Sequence, residues 1–200
     1  MIDQNSIENI DQAVLKKAQL MYCNKFENRT EPQVDVESYR VYAERMTSRG
    51  YIHSHETLLA LKKYCQGYAL VLSGSCGVGK TFFFQCLNQD IIVMNANDIV
   101  NYTYDEIIEF CNSYRDREIV IDDIGSSQEY SMSYGNVYSP LLTMCNQRIL
   151  AKARTHFTTN LDSVGFSKFD NRLKDRIARL AVPCVFSCKN SYRTPIVYNH

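Results

Sequence analysis

Gly74-Ser-Cys-Gly-Val-Gly79-Lys80-Thr81 follows directly on the apolar run Tyr68-Ala-Leu-Val-Leu72, and this junction narrows the fold more than any other stretch of the 200 residues. A short apolar run of this kind reads as a parallel strand covered on both faces, and Phe82 to Leu87 beyond the glycines read as a helix. The octapeptide fits G-x-x-x-x-G-K-[ST] in the strand-loop-helix setting that the pattern requires. Its glycines let Gly74, Ser75, Cys76, Gly77, Val78 and Gly79 wrap their N–H groups around phosphate oxygens, and the helix start adds its positive end. Lys80 is then expected to reach the β- and γ-phosphates, and Thr81 to offer a hydroxyl to Mg²⁺. ATP and Mg²⁺ are the implied cofactors.

Further apolar runs at 91–94, 119–121, 156–158 and 182–186 alternate with segments long enough for crossover helices, which predicts a doubly wound α/β fold with a five-stranded parallel sheet. Glu118-Ile-Val-Ile-Asp122-Asp123 ends one of these strands on two carboxylates, at the sheet edge where α/β proteins bind ligands. In that position Asp122 would hold Mg²⁺ and Asp123 would polarise an attacking water, so the predicted activity is ATP hydrolysis. Asp122-Asp-Ile-Gly125 also matches the D-x-x-G of GTPases. The string closest to their guanine-reading N-K-x-D, however, is Asn24-Lys25-Phe-Glu27, upstream of the loop. A nucleotide kinase stays open as an alternative, with Arg172, Arg176 and Arg179 as lid arginines.

With 45% apolar residues, the chain is long enough for one main domain. Lys plus Arg equal Asp plus Glu at 22 each, so no global field draws the molecule to nucleic acid or anionic lipid. No stretch approaches a membrane span, and the polar start at 1–9 is unlike a signal peptide, which predicts a cytoplasmic protein. The eight cysteines are scattered through apparent helices and strands, one of them within the glycine loop, and read as reduced thiols. Cys184 and Cys188 lack the second ligand pair that a zinc site needs. Residues 1–49 form a predicted helical N-terminal extension, a candidate partner-binding segment, and 50–200 the nucleotide-binding domain. The Ser-, Tyr- and Gly-rich stretch 126–139 reads as a loop responsive to ligand.

Several of these features resemble the AAA+ ATPases of the DnaC-like helicase-loader family, and the related IstB-type transposition ATPases. They are the loop, the Asp-Asp strand, Thr158-Thr159-Asn160 closing a later strand, and Arg172-Leu-Lys-Asp-Arg176 on a helix beyond it. Asp122-Asp-Ile-Gly125, Tyr134-Gly135-Asn136 and Asn146-Gln147-Arg148 resemble the phage and mobile-element variety in particular. The resemblance spans about residues 50 to 195 and implies a P-loop three-layer sandwich with no separate C-terminal lid domain. It also implies a role in DNA replication, with a DnaB-type helicase or a transposase as partner and a homo-oligomer whose sites are shared between subunits. By the same resemblance Asn160 is sensor 1, Arg176 or else Arg172 is the arginine that completes a neighbour's site, and Arg193 of Ser191-Tyr192-Arg193 stands like a sensor 2. The chain departs from the family in carrying Asp123 where most AAA+ proteins have Glu, a shorter reach to water. A weakly hydrolysing, nucleotide-gated adaptor is therefore a second implied reading.

Single-stranded DNA binding would need a local patch. Residues 145–180 hold Arg148, Lys152, Arg154, Lys168, Arg172, Lys174, Arg176 and Arg179 against Asp162, Asp170 and Asp175. Tyr130, Tyr134, Tyr138, Phe166 and Phe169 lie near them in sequence as candidate stacking aromatics.

Overall fold

In the computed structural model, residues 32–126, 131–133 and 136–187 are described. Helix α1 (Val36–Ser48) and helix α2 (His55–Cys65) precede strand β1 (Ala69–Gly74), after which come α3 (Lys80–Leu87) and β2 (Ile92–Asn95). Helices α4 (Ala96–Ile99) and α5 (Tyr104–Ser113) lead to β3 (Ile119–Asp122), and β4 (Ser131–Ser133) and β5 (Asn136–Tyr138) form an antiparallel ribbon. Helix α6 (Pro140–Leu150), β6 (Thr155–Thr159), α7 (Ser163–Ser167), α8 (Asn171–Leu180) and β7 (Ala181–Phe186) complete the described chain. β2, β3, β6, β1 and β7, in that spatial order, make one all-parallel sheet. The five expected strands and the α/β class are thus present.

The uninterrupted apolar runs follow from two cores. In β1, Ala69 and Val71 face a core shared with Ile107, Met144, Leu173 and Ile177, while Leu70 and Leu72 face another with Leu61, Phe83, Phe84 and Phe186. β3 divides the same way, Ile119 and Ile121 to one side and Val120 to the other. Helix α1 packs on the second core through fully buried Met46, and Arg45 and Arg49 donate to the carbonyls of Leu87 and Gln85 at the end of α3. At the outer strand β7, Pro183 has no N–H to offer, and its carbonyl accepts a hydrogen bond from Lys63 Nζ at 3.3 Å.

Polar groups lock the amino ends of the central strands. His156 is fully buried on β6; its Nδ1 accepts from the Leu70 N–H at 3.0 Å, which puts the ring proton on Nε2, facing Glu118 Oε1 at 2.6 Å. Glu118 also accepts from the Tyr64 hydroxyl at 2.9 Å and pairs with Arg154 at 3.2 Å. Arg154 lies over the Tyr64 ring and donates to the Tyr64 and Tyr68 carbonyls. Burial holds His156 below its ordinary value against the pull of Glu118. Burial alone would raise Glu118, but the His156 hydrogen bond and the His156 and Arg154 charges leave it lowered.

Arg148, on α6, is fully buried as well. Its guanidinium donates to Thr155 Oγ1 at 2.9 Å and to the carbonyls of Tyr114 at 2.6 Å, Arg117 at 2.6 Å and Arg154 at 3.0 Å. One planar fork therefore closes the loop into β3 and the turn into β6. Replacing it by Ala leaves several buried acceptors without donors, so Arg148→Ala is expected to lower unfolding free energy by about 3 kcal/mol or more in urea denaturation. Arg148→Lys should recover only part of this, because an ammonium does not reproduce the fork.

His156 gives stability a pH dependence of known sign. Its folded value lies below 6.5, so on acidification the unfolded chain takes up a proton before the folded chain does. Stability is expected to be level above about pH 7.5 and to fall from about 6.5 downward, with Glu118 adding to the loss below its ordinary 4.5. His156→Gln should flatten the upper part of that decline when denaturation midpoints are compared between pH 7.5 and 5.5.

Candidate nucleotide site

Every described helix but α3 begins on a side chain that accepts from its first turn: Asp35, Ser54, Asn95, Thr103, Ser139, Asp162 and Asp170 in chain order. Helix α3 starts at Gly79 with no such cap, so its first N–H groups are left for a ligand. Gly77 and Gly79 hold φ at 85° and 86°, the left-handed region where a Cβ is strained, and so bend the loop back over the helix start. Behind it, Tyr51 stacks on Phe82 and donates its hydroxyl to the Gly79 carbonyl at 3.3 Å. A glycine loop between a buried strand and an uncapped helix decides the class. This is a P-loop fold.

Lys80 is buried, its Nζ 2.8 Å from the Gly74 carbonyl, 2.9 Å from that of Ser75 and 2.8 Å from Asn160 Oδ1. Thr81 Oγ1 donates to Asp122 Oδ1 at 2.5 Å. On the far side, Asn160 Nδ2 donates to Asp123 Oδ1 at 2.6 Å. Lys80, Thr81, Asp122, Asp123 and Asn160, read from separate stretches of sequence, therefore meet at the carboxyl ends of β1, β3 and β6.

This donor set fits nucleotide with Mg²⁺. Thr81 and Asp122 supply two hard oxygens side by side, and the open helix start and the Lys80 ammonium suit phosphate. Among the described residues no group of three or more His, Cys, Asp or Glu side chains could hold a metal ion. A cation at Thr81 and Asp122 would complete its shell with phosphate oxygens and water, as Mg²⁺ does.

Two further candidates sit on α8. Arg176 is half-buried on α8, its Nε donating to Asn146 Oδ1 at 2.8 Å and its Nη1 to Asp175. Arg172 is exposed beside Asp170. Arg193 and Cys188 fall outside the described residues, as do Tyr130 and Tyr134. The six described cysteines are free thiols; Cys76 of the loop is exposed and Cys184 buried.

The basic patch needs correction. Arg148 is inside the protein and Arg154 is spent on Glu118 and two carbonyls, so only six of the eight basic side chains remain for an outer surface. Arg148 is out of reach of a phosphate backbone. Of the aromatics, Phe169 is buried with Phe166 edge-on against it, and the Tyr138 hydroxyl donates to the Tyr102 carbonyl.

One site neighbour has no role in the sequence reading, where it stands only as part of Thr158-Thr159-Asn160: Thr158, whose hydroxyl contacts both Asp122 and the backbone of Asp123. Its signal is a strand, Thr155-His-Phe-Thr-Thr159, that is buried throughout yet mostly polar, since buried hydroxyls need partners.

No family model matches the chain, and no curated protein matches it. Among solved structures, a crystal structure of DnaI superposes with a TM-score of 0.48 at 17% sequence identity, covering 82% of this chain and 89% of that one. Resemblance at that level is too slight to bear on function. Among the described residues, no helix is long and apolar enough to cross a membrane.

Asp123 sits at φ 60°, a left-handed conformation that Asp and Asn tolerate and β-branched residues resist. Asp123→Asn is expected to keep the wild-type denaturation midpoint. Asp123→Val should lose about 1–2 kcal/mol by the same measurement.

Proposed function

We propose that this chain is an ATP-binding and ATP-hydrolysing protein of the DnaC-like AAA+ kind. In this reading 50–200 is the ATPase domain and the segment before it is available to a protein partner. The observation that carries the reading is the hydrogen-bonded chain from Lys80 through Asn160 to Asp123, with Thr81 on Asp122 beside it, in front of an uncapped helix.

Each residue then has a distinct task. The loop N–H groups and Lys80 bind and neutralise phosphate. Thr81 and Asp122 hold Mg²⁺, which when bound offsets charge on the phosphate oxygens. Asp123 orients water and accepts its proton, and Asn160 fixes the Asp123 carboxylate. An arginine from a second copy, Arg172 or Arg176, completes the site and stabilises transition-state charge, which can be worth ~10³-fold or more.

The motifs shared with DnaC-like loaders support a biological role in which nucleotide state drives the loading or remodelling of a DnaB-type replicative helicase on single-stranded DNA in the cytoplasm. A transposase partner is the IstB-type variant of that role. The short Asp123 side chain favours a second reading, a nucleotide-gated adaptor with little turnover.

Single-turnover ATP hydrolysis with and without single-stranded DNA separates the two. Lys80→Ala is expected to abolish ATP binding, and Asp123→Asn to keep binding while cutting hydrolysis about 10²-fold or more. Mixing Lys80→Ala with Arg172→Ala or Arg176→Ala subunits under exchange conditions should restore activity for the arginine that acts across the interface. Hydrolysis undiminished in Asp123→Asn would refute the catalytic assignment.

A further inference from the structure

Thr158 is 1% exposed, and its single hydroxyl proton is committed: Oγ1 donates to Asp122 Oδ1 at 2.6 Å. The same oxygen accepts the Asp123 N–H at 2.9 Å. The β3–β6 ladder has already ended at Ile121 and Phe157, and it is rejoined when Ile124 N–H bonds the Thr158 carbonyl at 2.9 Å. Between those points the chain turns through left-handed Asp123, and a side-chain oxygen takes the N–H that the turn would otherwise leave buried.

Two hydroxyls, Thr81 from the phosphate loop and Thr158 from β6, thus converge on one oxygen of Asp122. They fix the rotation of the carboxylate from both sides. Thr158 alone also fixes the backbone from which Asp123 projects toward Asn160.

We infer that Thr158 is a positioning residue for the nucleotide site, its hydroxyl setting Asp122 for the metal and Asp123 for water; the inference rests on the ATP-binding reading above. Groups one step behind a metal ligand commonly affect metal affinity by 10–100-fold. Thr159 provides an internal control. It is equally buried, but its hydroxyl donates to the Ile124 carbonyl at 2.7 Å and accepts from Leu161 N–H at 3.1 Å, holding the turn without touching either carboxylate.

The test uses the full chain and a fluorescent ATP analogue, titrated in EDTA and again across a Mg²⁺ series, together with hydrolysis at each Mg²⁺ concentration and a melting curve. For Thr158→Val we expect EDTA affinity within about twofold of wild type, but roughly a tenfold rise in the Mg²⁺ needed for half-maximal effect. Thr158→Ser should return to within about threefold, and Thr159→Val should melt earlier yet keep the wild-type Mg²⁺ response. Thr158→Ala, which lacks the hydroxyl without adding a methyl, gives the same comparison should the valine variant be insoluble. A wild-type Mg²⁺ response in hydroxyl-free Thr158 variants would overturn the assignment. So would failure of serine to restore the response, or an equal loss in Thr159→Val. If wild type itself binds the analogue without any Mg²⁺ effect, the ATPase reading fails first, and the role of Thr158 with it.

Discussion

The site depends on where β6 lies. It separates β1, which carries the phosphate loop, from β3, which carries the two carboxylates. Strands in a sheet are about 4.8 Å apart, so the loop and the acids are held roughly 10 Å from one another. That gap is too wide for Lys80 to pair with Asp123 by sheet geometry alone. Asn160, at the end of the intervening strand, spans it with an amide that accepts from Lys80 and donates to Asp123. An amide suits this position because it offers a donor and an acceptor at once without adding charge between an ammonium and a carboxylate.

The two ends of the sheet divide the work. At the amino ends, Glu118, His156, Arg154 and Arg148 tie β1, β3 and β6 together through buried, satisfied polar groups, an arrangement that resists sliding of one strand on another. At the carboxyl ends the hydroxyls of Thr81, Thr158 and Thr159 serve the acids and the turn after them. There, short side chains hold distances of 2.5 to 2.9 Å.

Much of this was legible in the sequence. β1 and β3 are legible because burial on both faces demands continuous apolar runs, and the loop because its glycines, lysine and threonine serve local geometry. Asp122 and Asp123 were visible as charges closing an apolar strand. Arg148 and Arg154 read as surface charge, because most arginines are exposed and nothing local marks one that also bonds carbonyls about 30 or more residues away in sequence. Thr158 was overlooked because its role depends on which strand neighbours which, and that order is a long-range property that no window of sequence contains.

The outer strand β7 carries a constraint of another kind. At Pro183 the border of the sheet has no amide hydrogen to give, and the carbonyl there is already engaged by Lys63. A foreign strand laid along this border would lose a rung in its middle, so the β7 edge is poorly suited to extension by a second molecule. In the proposed assembly a neighbouring copy would therefore meet the β7 side through helices and loops, whose contacts can shift as the nucleotide changes, and not through a continuous ladder that would lock two copies in one arrangement.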